Sequence, residues 1–421
     1  MIKYVILVIA LIWREETLAA QHVVPGGAGD ESGGCWSSAR SSVQAAVDAA
    51  ALSGEEVWVA AGRYPLAAPI ELRNGSVVLG GFTGTESMAS QRDPQTRVTV
   101  FDGQDAVQVV RMVDIVAARL DGVSVAHGSV AATNKMGGAG ILISGCQYCT
   151  VATCRILHNR ASLAVGATSC EGGGVLLKYS TSCQITDCLF TDNQATYGTS
   201  LSILYASETL VNACRFAGEC HVGGRGVVRV NGSGPTYQNC VFTGNRVFWG
   251  SAIYSAQDQV FVNCTVCFTW NETQNGALHV FSPLTIRNNI LAFNHPEAIR
   301  EMNEQADPVL ANNLFHGQGV ADYFDFDGTH YLTGASQINV STVPNNASGN
   351  VDGDPLFARC PVQDNGTWTT APAYDRDCAR TKLVDDSATF IPGELKGCFL
   401  NPDNNDTWSY GTVSIVSSTT V

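Results

Sequence analysis

Residues 240–254 read CVFTGNRVFWGSAIY: a cysteine, an asparagine five positions on, and a glycine that opens a short apolar segment. Pieces of this stretch recur on both sides. Aligned on Cys240, the chain gives VATCRILHN ending at Asn159, ITDCLFTDN at Asn193, VNACRFAGE at Glu219, YQNCVFTGN at Asn245, FVNCTVCFT at Thr269, IRNNILAFN at Asn294 and LANNLFHGQ at Gln318. The aligned column is Cys154, Cys188, Cys214, Cys240, Cys264, Asn289 and Asn313, at spacings of 34, 26, 26, 24, 25 and 24 residues. Self-similarity at this period marks a solenoid.

Each unit carries a second apolar segment opened by glycine, at Gly137, Gly172, Gly198, Gly223, Gly250 and Gly276. Around Leu201, Ile203 and Tyr205 large residues alternate with smaller ones at period two, a strand pattern. Two or three short strands per unit, with no room for a crossover helix, predict an all-β, right-handed single-stranded parallel β-helix. About eight coils at ~4.8 Å make a rod of roughly 40 Å. The cysteine column is expected inside as small apolar packing. The turn ladder Asn159, Asn193, Asn245 and Asn294 is expected to take left-handed backbone geometry and to bond its amides above and below. The glycines are expected to supply positive φ where the coil bends.

Upstream, Val43, Ala46, Val47, Ala50 and Ala51 form a helical apolar stripe that Gly54 stops. A helix there caps the open end of the stack, where bare strand edges invite aggregation. The domain reading is a signal peptide over 1–20, a cap with the first coils over 21–105, β-helix repeats over 106–358, and a small C-terminal β module over 359–421. The signal peptide rests on an apolar run from Tyr4 to Trp13 that is too short for a stable membrane span, followed by Ala19 and Ala20. The expected localisation is therefore secreted, extracellular or at the cell surface. The chain ends in GTVSIVSSTTV, an alternating strand with no cap after it.

A net charge of −14 without a Lys/Arg-rich run excludes nucleic acid as a partner. Candidate glycan acceptors stand at Asn74, Asn231, Asn263, Asn271, Asn339, Asn346, Asn365 and Asn405. The 15 cysteines of a secreted chain are open to pairing, with Cys360, Cys378 and Cys398 the ones put forward for bridging. Cys146 and Cys149 read as a local disulfide or as buried thiols; no second pair at zinc spacing follows.

Phe190-Thr-Asp-Asn193, Phe242-Thr-Gly-Asn245 and Gly250-Ser-Ala-Ile253 resemble the FxxN and GGA-aliphatic repeats of the chlamydial polymorphic membrane proteins and of related secreted β-helix proteins of environmental bacteria. The resemblance covers roughly residues 120–300 and implies a pectin-lyase-like solenoid. SSVQAAVDAAALSGEEVWVAAGRY and NVDGDPLF are similar to the segments that open and close the environmental proteins. The autotransporter barrel that ends the chlamydial family has no counterpart length here.

The same fold serves polysaccharide lyases and glycoside hydrolases, so an enzyme is weighed as the alternative. Asp187 and Asp192 in one coil, and Asp121 in an earlier one, are the carboxylates on offer; the Asn-Thr-Asp, Asp-Asp and Gly-His-Gly sequences of polygalacturonases are missing. Arg155 and Arg215 share a column two coils apart, with Lys178 near Asp187 in sequence. His158 and Asp192 occupy the same turn position in adjacent coils and read as a surface contact; His127 and His221 read as isolated. Two coils are longer than the rest, by insertions in 127–138 and 161–174, where binding surfaces tend to form. The favoured reading is an adhesin-like or glycan-binding scaffold with no catalytic residues, cofactor or metal, whose partner is an extracellular polysaccharide or a cell-surface glycan. The second alternative is a structural spacer of a larger surface protein.

Overall fold

One unit shows how the repeat closes. Strands Ile141–Ser144, Thr150–Ala152 and Arg155–Leu157 are followed, one coil on, by Val175–Lys178, Gln184–Thr186 and Leu189–Thr191. The pairs align in parallel, Ile141 with Val175, Thr150 with Gln184 and Arg155 with Leu189. Repeated along the chain, this gives a right-handed parallel β-helix with three long faces in the computed structural model. Sheet A has 12 strands from Ala20–Val23 to Asn346–Ser348, sheet B 11 from Gly62–Pro65 to Val351–Asp352, and sheet C 11 from Ile70–Glu71 to His330–Leu332. The structure describes residues 19–357 except 133–135, 233, 251, 256–257, 272–274, 329 and 342–345; beyond 357 it describes only Ala373–Asp375 paired antiparallel with Arg380–Lys382, and Phe399–Leu400 with Gly411–Thr412. Residues 1–18 of the expected signal peptide and Cys360, Cys378 and Cys398 lie outside the described residues, as do Asn365 and Asn405; Ala20, the last residue of that expected segment, stands in the first strand of sheet A.

At ~4.8 Å per step, 11 strands span roughly 50 Å, longer than the repeat count predicts. The extra coils, over Glu56–Ala126 and the last strands to Asp352, lack the cysteine column; Val123 and Asn350 hold its place.

The interior is built from stacked columns. Phe190, Phe216 and Phe242 follow one another at 4.6 Å between ring centroids, all buried. Each such ring removed from water contributes about 1.5–3 kcal/mol. Cys154, Cys188, Cys214, Cys240 and Cys264 are buried free thiols, as packing predicts, and so are Cys146 and Cys149. Asn289 and Asn313 replace the thiols with an amide ladder: Asn289 donates through Nδ2 to Asn313 Oδ1 at 3.0 Å, and Asn313 to Asn350 Oδ1 at 3.0 Å. Buried amides persist here because each coil supplies the acceptor that the next one needs.

The turn ladder differs from expectation in its geometry. The left-handed residue is the one before each asparagine: His158 (φ 55°), Asp192 (52°), Gly244 (63°) and Phe293 (55°). Asn159, Asn193, Asn245 and Asn294 point inward and are buried. Asn159 Nδ2 meets Asn193 Oδ1 at 3.0 Å, the amide stack expected; elsewhere Glu219, Thr269 and Gln318 take the intervening rungs. Of the glycines, Gly172, Gly198, Gly250 and Gly276 have φ of 57–62°, and Gly226 has φ 73° in the unit that Gly223 opens.

Helix α1, Val43–Ser53, closes the N-terminal end against strands Ala20–Val23, Glu56–Ala60 and Ile70–Glu71. The Ser42 hydroxyl accepts the Ala45 amide at 3.2 Å, and Gly54 ends the helix at φ 75°. Val43, Ala46, Val47 and Ala50 are buried; Ala51 is exposed, because the helix covers the stack edge with a narrower stripe than the sequence gives it.

A candidate ligand-binding face on sheet C

The insertions of the two long coils emerge side by side at the corner between sheets B and C. Ser129–Ala132 and Arg160–Leu163 pair in parallel there, beginning a short fourth face that Cys220–Arg225 and Arg246–Trp249 resume further along. His127 is not isolated, as the sequence reading has it. It is buried, its Nδ1 lies 2.9 Å from Asp102 Oδ1, and its ring stacks on His158 at 5.6 Å. Asp102 sits 25 residues upstream and reaches His127 only because adjacent coils align Asp102 with Ala126. His158 Nδ1 in turn meets Asp192 at 2.7 Å, the surface pair expected. The side chain of His221 lies outside the described residues.

The acids and bases singled out from sequence do not converge. Asp121 is held by Arg92 (2.8 Å) and by Arg119; Asp187 is exposed at a turn. Arg155 binds the Pro94 and Gln95 carbonyls at 3.1 Å, and Lys178 reaches Met136. Arg155 and Arg215 do share a column, with Leu189 between them. Among the glycan acceptors, Asn74, Asn263 and Asn346 are exposed, Asn231 is half-buried, Asn271 is buried, and Asn339 Nδ2 is engaged by Asn350 O at 2.8 Å.

A stripe of polar and aromatic side chains that the sequence reading missed runs along the outer side of sheet C. Register places Ser202, Arg229, Tyr254, His279, Arg300 and Phe324 on six successive strands, alternating with inward Ile203, Val230 and Leu278. Five steps span roughly 24 Å. The corner segments supply Glu171 and Tyr197, which bridge in register to Arg225. Arg229 lies over the Tyr197 ring at 4.0 Å and pairs with Glu171, whose other oxygen accepts the Ser202 hydroxyl at 2.9 Å. Arg225 donates to the Tyr197 hydroxyl at 2.7 Å. Tyr197 meets Tyr254 at 6.0 Å, and Tyr254 meets His279 and Phe281 at 5.2 and 5.3 Å. Arg300 covers Phe324 at 3.9 Å and pairs with Glu297 at 3.0 Å. Burial, with Arg300 adding to it, holds His279 down at about 3, so it is neutral at physiological pH. Burial pushes the Glu297 carboxyl up.

Hydrolysis of a glycosidic bond by paired carboxylates requires the two within about 5–10 Å of each other. The backbones of Glu171 and Glu297, whose carboxylates hold the guanidiniums of the stripe, sit five strand steps apart, roughly 24 Å along the axis, and the two carboxylates bind different arginines, Arg229 and Arg300. The half-buried Tyr197, Tyr254 and Phe281 rings, with the Arg229 and Arg300 guanidiniums that buried carboxylates hold in place, instead offer stacking surface and hydrogen bonds to a long ligand.

The class of protein follows from the stack itself. Residues 118–347 match the family model described as right handed beta helix region, and the chain belongs to that family. No curated protein matches the chain. Similar solved structures include the A-module of a mannuronan C-5 epimerase from Azotobacter vinelandii, at 13% identity and TM-score 0.36, covering 75% of this chain and 95% of that one. A pectin methylesterase from Aspergillus niger is similar at 12% identity and TM-score 0.34, covering 73% and 90%. The surface adhesin PfbA of Streptococcus pneumoniae is similar at 12% identity and TM-score 0.30, covering 82% and 95%.

Proposed function

We propose that this β-helix is a secreted or cell-surface scaffold that binds an extended glycan along sheet C and does no chemistry on it. The observation that carries this reading is the in-register stripe from Tyr197 and Arg229 through Tyr254 to Arg300 and Phe324. Its side chains are set at the strand spacing from Arg229 to Arg300, so an extended ligand meets aromatic or guanidinium groups along its length. The wide separation of Glu171 and Glu297 supports binding without turnover. The apolar run from Tyr4 to Trp13, read as a signal peptide, and the resemblance read in the FxxN repeats support export. A glycan array probed with the purified chain, followed by chromatography of any bound polysaccharide after long incubation, tests the proposal. Binding with unchanged polymer length and composition is expected; shortening, desaturation or epimerisation of the polymer replaces the scaffold with an enzyme.

A further inference from the structure

The proposed glycan face leaves the charge class of its ligand open, and the ion pairs of the stripe decide it. We infer that the ligand is a neutral polysaccharide, recognised by stacking and hydroxyl hydrogen bonds, and not a polyuronate or a sulfated glycan; this rests on the glycan-binding reading above. Arg229 is matched by Glu171, a fully buried carboxylate that also takes the Ser202 hydroxyl. Arg300 is matched by Glu297, likewise buried. Both guanidiniums also lie over aromatic rings, 4.0 and 3.9 Å from the centroids, so each is already committed to a ring and a carboxylate. A carboxylated sugar arriving here would have to displace a built-in carboxylate, leaving that one buried and unpaired at several kcal/mol. The chain's net charge of −14 adds a long-range repulsion against polyanions. A sugar ring without charge meets none of these costs, and finds Tyr254, Phe281 and Tyr197 within reach of one another.

Affinity electrophoresis of the full chain through gels containing a neutral polymer (mixed-linkage β-glucan, galactomannan or xyloglucan) or an acidic one (polygalacturonate, alginate or chondroitin sulfate) separates the outcomes. Retardation by a neutral polymer, unchanged between low and high salt, supports the inference. Tyr254→Ala should weaken it about tenfold while circular dichroism stays unchanged. Glu171→Gln removes the matching carboxylate from Arg229 and should create a new, salt-sensitive retardation by an acidic polymer. Retardation of the unmodified chain by acidic polymers that fades steeply with salt overturns the neutral class but keeps the glycan reading. Retardation by none of the polymers, in a chain whose dichroism is that of a folded β protein, overturns the glycan reading itself. Neutral binding that Tyr254→Ala leaves intact removes it from sheet C.

Discussion

Glu219 stands where neighbouring coils place Asn193 and Asn245, and it shows how far a single rung tolerates change. Its carboxyl is fully buried and receives the Asn193 amide (2.9 Å), the Asn193 side chain (3.1 Å) and the Ser200 hydroxyl. Burial pushes the group up to about 8, against the pull of those hydrogen bonds. Because the folded value lies above the ordinary 4.5, its stabilisation is fully present below about pH 4.5 and is lost as pH rises through about 8. Glu219→Gln, which stays neutral at every pH, should flatten the fall in melting temperature between about pH 4.5 and 8; an unchanged pH profile would show that the buried carboxyl is not its source. The asparagine rungs are less forgiving. Asn289→Ala strands the Cys264 amide and the Phe261 carbonyl, both buried, and should cost about 1–3 kcal/mol in urea unfolding. Thiol chemistry gives a third check at this scale. Cys35 is exposed, its pKa lowered by hydrogen bonds from Ser37 and Ser38, whereas the other ten free cysteines described are buried. Peptide mapping after brief native alkylation should find Cys35 modified and Cys154, Cys188, Cys214, Cys240 and Cys264 untouched.

Corners set the shape of each coil, and their geometry is imposed on whatever residue falls there. Before the cysteine column the left-handed position is filled in turn by Thr153, Asp187, Ala213, Asn239 and Asn263, at φ of 51–55°. Asparagine and aspartate tolerate this conformation; Thr153 and Ala213 are strained and are held by the ladders on either side. Ala213→Gly should therefore raise stability by up to about 1 kcal/mol, the reverse of the usual effect of glycine. A loss of stability measured by denaturant would place the strain elsewhere. Glycine positions that face backbone run the other way. A side chain at Gly198 would bring a Cβ to 2.4 Å from the Leu201 carbonyl at φ 57°, so Gly198→Val is expected to unfold its corner, seen as fast amide exchange through 197–204.

In the whole molecule, strand pairing joins each coil only to its neighbours and side chains such as Glu171 reach at most a coil or two further, so damage stays local along the axis. Phe216 lies between Phe190 and Phe242 in the interior stack. Phe216→Ala should cost about 3–5 kcal/mol and speed amide exchange in the coils around 185–243 more than at Val57 or Leu314. Uniform acceleration along the rod would show a single cooperative unit instead. α1 protects the first edge, where strands would otherwise pair with a second molecule.

The repeat period, the buried cysteine and asparagine columns, and the capping helix were legible in the sequence, because inward positions face the same size and polarity limits in every coil and leave a recurring mark. Outward positions carry no such mark. Ser202, Arg229, Tyr254 and His279 are four residue types on four successive strands, and Glu171 lies 58 residues from the Arg229 it pairs with. The same is true of Asp102 and His127, and of the left-handed residue that precedes each asparagine. Which outward side chains meet is set by strand register and by how far each corner loop folds back over sheet C. The sequence determined that the chain stacks; only the stacking decided what its surface brings together.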